Sequence, residues 1–131
     1  MKEKMEVVAA MIEREDGRVL AVLRSAKKKL GNRWEFPGGK VEKGESYFQT
    51  AEREVWEELR CRVEAVDEIG IIYEEIEELI LEVHFVKCLW KDTKFTLTEH
   101  DASVWIKKEN ILSLKFAEAD RPILEKIAKE G

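Results

Sequence analysis

Three glutamates, Glu54, Glu57 and Glu58, fall within the nine-residue stretch REVWEELRC at positions 53–61. At about 100° per residue a helix sets Glu54 and Glu58 one turn apart, with Glu57 beside both. Like charges at this spacing destabilise a helix by about 0.2–0.5 kcal/mol per pair. In sequence only Arg53, one turn before Glu57, stands close enough to offset part of that repulsion. The spacing therefore has two readings: a solvated acidic face that tolerates the repulsion, or a site for a multivalent cation. Hard divalent ions such as Mg²⁺ take oxygen ligands and commonly bridge carboxylates to substrate phosphates. The second reading would tie this helix to phosphate chemistry, and spacing alone does not choose.

Other segments must position these carboxylates. Pro37, Gly38, Gly39 and Gly44 punctuate WEFPGGKVEKGES (34–46), which is therefore not helical. These glycines do not make a nucleoside-triphosphate P-loop, because Trp34 stands at the first glycine position and Val41 at the Ser/Thr position. Ser46 with Gln49 three residues on is a capping-box signal, and Phe48, Ala51, Val55, Trp56 and Leu59 follow at helical spacing. The residues from 47 to 59 are thus predicted to form a helix. Upstream, EVVAAMIERE (6–15) and VLAVLR (19–24) around DGR read as a β-hairpin, and SAKKKLGNR (25–33) as a basic loop. Downstream, residues 61–78 and 79–90 read as paired strands, 92–101 as a polar connection, and 102–108 as a short strand. Residues 109–114 read as a helical turn. AEADRPILEKIAKE (117–130) reads as a closing helix with Asp120 as N-cap and Pro122 in the first turn. This order predicts one α/β domain over residues 1–131, with helices packed on a mixed sheet.

Composition agrees with one packed domain: 131 residues, 44% hydrophobic and 39% charged. A net charge of −5 argues against nucleic-acid polymers and anionic membranes as partners, since both call for a basic field. No run of 18 apolar residues and no signal-peptide pattern is present, so a soluble, cytoplasmic protein is expected. Cys61 and Cys88 have no metal-ligand spacing. His84, in an apolar strand, and His100, on the acidic loop, are expected in structural or surface roles, because no second His or Cys completes a ligand set. The lysines at 27–29 read as a solvated loop, or as an attraction for triphosphate.

The whole stretch GKVEKGESYFQTAEREVWEELRC (39–61) resembles the Nudix box, G-x5-E-x7-R-E-U-x-E-E-x-G-U, at Gly39, Glu45, Arg53, Glu54, Val55, Glu57 and Glu58. Arg60 stands where the box has glycine, and Cys61 fills its last apolar place. The resemblance implies an α/β/α sandwich and hydrolysis of a nucleoside diphosphate linked to another group. It implies that Glu54, Glu57 and Glu58 hold Mg²⁺, with Mn²⁺ as a substitute, and that Arg53 and Glu45 form an ion pair orienting the helix.

EVVAAMIERE, WEFPGGKVE, TEHDASVW and AEADRPIL further resemble the MutT-like branch, which includes CTP pyrophosphohydrolases and 8-oxo-dGTP diphosphatases. From that branch come expectations that Glu99 completes the metal site or acts as base, that Arg24 contacts the nucleotide, and that Gly39 borders both metal and substrate. Asp120 occupies a position that is asparagine in the guanine-oxidation enzymes. An ionised aspartate only accepts hydrogen bonds, which suits the amino group of cytosine. Phe36, Trp34 and Trp105 are candidates for base stacking. The resulting expectation is a monomeric or homodimeric, metal-dependent enzyme converting a nucleoside triphosphate to monophosphate and pyrophosphate. Its expected substrates are CTP, dCTP, modified cytosine nucleotides, or oxidised purine nucleotides such as 8-oxo-dGTP. An ADP-ribose or dinucleotide hydrolase and a catalytically silent nucleotide sensor are the alternatives.

Overall fold

A computed structural model describes residues 2–130. Its centre is β1 (Glu3–Glu13), which pairs in parallel with β6 (Leu79–Trp90) along its whole length. Both strands are buried on two sides, and alternation sorts their residues. Val8, Ala10, Ile12, Val86 and Cys88 face one way, while Met11, Val83 and Phe85 face the other. The first set packs on α1 (Tyr47–Leu59) through Ala51, Val55 and Leu59. The second packs on α2 (Arg121–Lys129) through Ile123, Leu124 and Ile127. The result is the expected α/β/α sandwich on a mixed sheet.

The sheet has seven strands, with the path β3-β2-β1-β6-β5; β2 is Val19–Leu23, β3 Trp34–Glu35 and β5 Val63–Ile76. Two further strands, β4 (Gly38–Lys40) and β7 (Ala102–Ile106), pair with β1 and β2 respectively. The predicted hairpin of 6–15 with 19–24 forms around the DGR turn but is short. β1 and β2 meet only at Glu13 and Val19, because β4 takes the edge of β1 at Val7–Ala9 instead. Gly38 permits that insertion, since a Cβ there would lie 1.9 Å from the Val8 carbonyl oxygen. The pairing of the two strands after the helix is as expected: β5 and β6 form an antiparallel hairpin. Residues 108–113, read as a helical turn, form a 3₁₀ segment.

α1 begins as its sequence demands. Ser46 accepts from the Gln49 N–H and Gln49 accepts from the Ser46 N–H, a complete capping box. It ends on Arg60 in the left-handed conformation, φ 51° and ψ 40°, with its N–H bonded to the Trp56 carbonyl. The helix thus keeps the exit that glycine serves in the box, at a cost of about 1 kcal/mol for a residue with a Cβ. α2 differs from expectation at its start. Asp120 stands at the N-cap position but in right-handed geometry, and its side chain makes no capping hydrogen bond. Among the described residues, no helix is long and apolar enough to cross a membrane.

Candidate active site

With Ala51, Val55 and Leu59 turned into the sheet, the other side of α1 presents Arg53, Glu54, Glu57 and Glu58. Arg53 is the organising group. Its Nε donates to Glu45 Oε2 at 2.6 Å and its Nη2 to Glu45 Oε1 at 3.0 Å, a bidentate pair. Its Nη1 reaches Glu54 at 2.9 Å and Glu57 at 3.2 Å, and Nη2 also donates to the Lys40 carbonyl at 3.0 Å. Arg53 so bound, with donations from the Glu42 N–H and the Thr50 hydroxyl, holds the Glu45 carboxyl at about 2. One guanidinium therefore ties the glycine-rich turn to two glutamates of the helix.

Glu54 lies against Gly39 so closely that a Cβ there would sit 2.4 Å from the Glu54 carboxyl carbon. Glu58 is buried and accepts a hydrogen bond from the Gly38 N–H. Burial, with the charges of Glu99 and Glu54 adding, pushes its carboxyl up to about 9. Burial likewise raises Glu54, against the opposing effect of Arg53. Glu99 is brought to this cluster by the unpaired carbonyls at the end of α1. The Thr96 N–H donates to the Leu59 carbonyl at 2.8 Å and the Thr98 N–H to that of Glu58 at 3.1 Å. The Thr98 hydroxyl meets the carbonyls of Glu57 and Glu58. The loop is thereby docked on the helix end, and Glu99 faces Glu58. Lys28, from the basic loop, stands 3.9 Å from Glu99.

Glu54, Glu57, Glu58 and Glu99 thus share one region, and Arg53, the one arginine among them, is divided between Glu45, Glu54 and Glu57. Two of these acids have raised proton affinity. This is an oxygen-rich site short of positive charge, and it fits a divalent cation. A different acidic group, Glu6 and Glu82 around the buried His84, lies outside the box. There His84 bonds Glu68 and Glu82 at 2.8 Å each and stacks on Tyr47, a structural network. A surface groove of about 770 Å³ runs from Glu3 to Leu79 past Glu45 and contains none of Glu54, Glu57 or Glu58.

On the α2 side of the sheet a cleft of about 200 Å³ reaches from Asp120 to Gly38 and Gly39, beside Glu54 and Glu58. Arg24, Arg33, Glu35 and Glu74 line it, together with Trp34 and the rim of Phe36. Phe36 is mostly core, edge-on to Phe85 and tilted against Phe116. Arg24 donates to the Lys29 carbonyl at 2.8 Å and stands 3.6 Å from Glu35. Burial, with Glu74 and Glu35 adding and Arg33 opposing, raises the Asp120 carboxyl to about 7.

Trp105, a stacking candidate, does not reach the cleft. It lies on the α1 face against Trp90 and Phe95, with Arg14 over its ring. Glu35, Arg33, Glu74 and a half-buried His100, whose Nε2 meets Glu35 at 2.9 Å, were not singled out from sequence as parts of this site. The only available signal was the position of Glu35 beside the glycine turn.

The architecture is that of an α/β/α sandwich with a carboxylate-bearing helix against a glycine turn. Residues 3–127 match the family model described as NUDIX domain, and the chain belongs to the Nudix family. It is 38% identical over 125 residues, 92% of this chain and 89% of the relative, to a protein of Escherichia coli (strain K12) named CTP pyrophosphohydrolase. To an 8-oxo-dGTP diphosphatase of the same organism it is 23% identical over 131 residues, covering 97% and 98% of the two chains. The crystal structure of a MutT protein from Methanosarcina mazei Go1 superposes with a TM-score of 0.88 at 28% identity, covering 98% of this chain and 96% of that one.

Proposed function

We propose that the protein is a metal-dependent nucleoside triphosphate pyrophosphohydrolase, releasing a nucleoside monophosphate and pyrophosphate, with cytosine nucleotides (CTP, dCTP or modified forms) as its favoured substrates. The observation that carries this reading is the continuity of the cleft. Asp120 and the Gly38–Gly39 turn, which packs against Glu54, both line it. A nucleotide lying along it has its base at Asp120 and its phosphates at the carboxylates.

Glu54, Glu57, Glu58 and Glu99, bordered by Gly39, are the residues that would hold Mg²⁺, or Mn²⁺ in its place. The bound cation supplies neutralisation of pyrophosphate charge and a lowered pKa for the attacking water. The chain's own residues do the rest. Arg53 and Glu45 keep the glutamates of α1 in one orientation against the turn. Gly39 leaves the room Glu54 occupies, and Thr96 and Thr98 hold Glu99 in reach, where it completes the oxygen set or takes the proton of the water. Arg24 stands at the cleft to meet the nucleotide. Asp120 accepts from an exocyclic amino group, which cytosine presents.

The 38% identity to a CTP pyrophosphohydrolase supports cytosine. The weaker likeness to an 8-oxo-dGTP diphosphatase makes oxidised purine nucleotides the second reading. Pyrophosphate release with Mg²⁺ across CTP, dCTP, 5-methyl-dCTP, 8-oxo-dGTP, dGTP and ADP-ribose decides between them by kcat/KM. A cytosine preference is expected. Turnover undiminished in Glu57→Gln would overturn the metal-hydrolase reading, and a preference for 8-oxo-dGTP would overturn the cytosine assignment.

A further inference from the structure

Arg33 is the cation of the cleft that the protein leaves unsatisfied. Its backbone is fixed on both sides: its carbonyl accepts from the Arg24 N–H at 2.9 Å, and the next N–H, that of Trp34, donates to the Lys115 carbonyl at 2.8 Å. The guanidinium that this backbone sends into the cleft has a buried Nε with no hydrogen-bond partner among the described residues. Its ion-pair neighbour, Glu74, stands 3.8 Å from Nη2, beyond hydrogen-bond reach. A buried charged donor without an acceptor is unfavourable unless something else supplies one.

Asp120 lines the same cleft, close enough to feel the charge of Arg33, and its own side chain makes no capping bond to α2. The cleft thus offers a planar fork of donors and a carboxylate acceptor. This combination matches one kind of base edge: an amino group adjoining a ring nitrogen and a carbonyl. Cytosine carries that edge. Uracil inverts it, turning a carbonyl toward the carboxylate and an N–H toward the guanidinium, so both contacts oppose it.

We propose that Arg33 is a specificity-determining residue, donating to the ring nitrogen and carbonyl of a cytosine base whose amino group is accepted by Asp120. The proposal rests on the cytosine reading above and extends it to a second, independent contact. The carboxylate alone selects for an amino group. The guanidinium adds selection for the acceptors next to it, and Glu74 holds the guanidinium in the cleft without using up its donors.

The test compares CTP with UTP for wild type, Arg33→Leu and Arg33→Lys at saturating Mg²⁺. Sites built to hydrogen-bond a polar edge discriminate strongly against analogues that lack it. Arg33→Leu is expected to raise KM for CTP by about 10–100-fold, to move kcat by less than about threefold, and to shrink the CTP/UTP ratio of kcat/KM by the KM factor. Arg33→Lys should recover only a small part, because a point charge cannot present the two parallel donors. Should the leucine variant fail to fold, Arg33→Gln carries the same comparison.

A wild-type preference for CTP that survives unchanged in Arg33→Leu overturns the role of Arg33 while leaving the cytosine reading intact. So does a loss confined to kcat and equal for both nucleotides, which is what a merely structural arginine would show. A wild type that does not distinguish CTP from UTP overturns both.

Discussion

The carboxylates of α1, gathered against the Gly38–Gly39 turn, and the groups around Asp120, in the cleft that this turn also lines, are built in opposite ways. The first end comes mainly from six consecutive helical residues and one turn, with Glu99 added from the loop docked on the helix end, and Arg53 ties it together by bonding Glu45, Glu54, Glu57 and the Lys40 carbonyl. The second end draws Arg24, Arg33, Glu35, Glu74 and Asp120 from four separate segments and, among the described residues, leaves the Arg33 Nε without an acceptor and the Asp120 side chain without a capping bond. The difference teaches where each task resides. On the proposed function, chemistry common to many phosphates falls to a rigid local motif, and reading a base falls to groups that wait for a ligand to pair with them.

If the two ends are separate in this way, substitutions should separate them. The largest effect is expected at Glu58→Gln. Removing a carboxylate oxygen from the proposed cation site should lower kcat by about 10²–10³-fold, with the ratio of CTP to 8-oxo-dGTP turnover unchanged. Steady-state kinetics with both substrates checks this, and an altered ratio would show that the ends are not independent. Asp120→Asn should act at the other end: kcat/KM for CTP is expected to fall about tenfold, chiefly through KM, since a hydrogen bond to a charged group contributes about 1.5–3 kcal/mol. Its Mg²⁺ concentration dependence should match that of wild type.

A third test concerns how the first end is held. Glu45 has its pKa lowered on folding, from 4.5 to about 2, so its stabilisation is present above the unfolded value and is lost as pH falls through the folded one. The melting-temperature gap between wild type and Glu45→Gln should therefore be constant at neutral pH and close between about 4.5 and 2. A gap that persists to the acid limit would mean that Glu45 acts by packing rather than by its charge. The smallest effect is expected at the helix exit. Arg60→Gly should raise unfolding free energy by about 0.5–1 kcal/mol, read by urea denaturation, because glycine holds the left-handed conformation without Cβ strain.

Much of the first end was legible beforehand because its logic is local. Ser46 and Gln49 announced the start of α1, the 3.6-residue period announced its buried face, and the spacing of Glu54, Glu57 and Glu58 placed them together before any coordinates. Where local signals competed with distant partners, reading failed. The hairpin expected from DGR barely pairs, because β4 displaces β2 from β1. Asp120 carries an N-cap residue type but does not cap, and Trp105 belongs to the core behind α1.

The amino-acid sequence by itself determined an α/β domain, the helix over 47–59 and the gathering of its carboxylates on one face, since periodicity, capping and i,i+4 spacing act over one or two turns. Only the tertiary structure decided what surrounds them. The docking of Thr96 and Thr98 on the end of α1 brought Glu99 to Glu58, and the crossing of the sheet brought Arg33, Glu35 and Glu74 to Asp120. Those residues have no fixed spacing to one another, and their meeting depends on which strands pair and which carbonyls lack partners, conditions that exist only once the chain has folded.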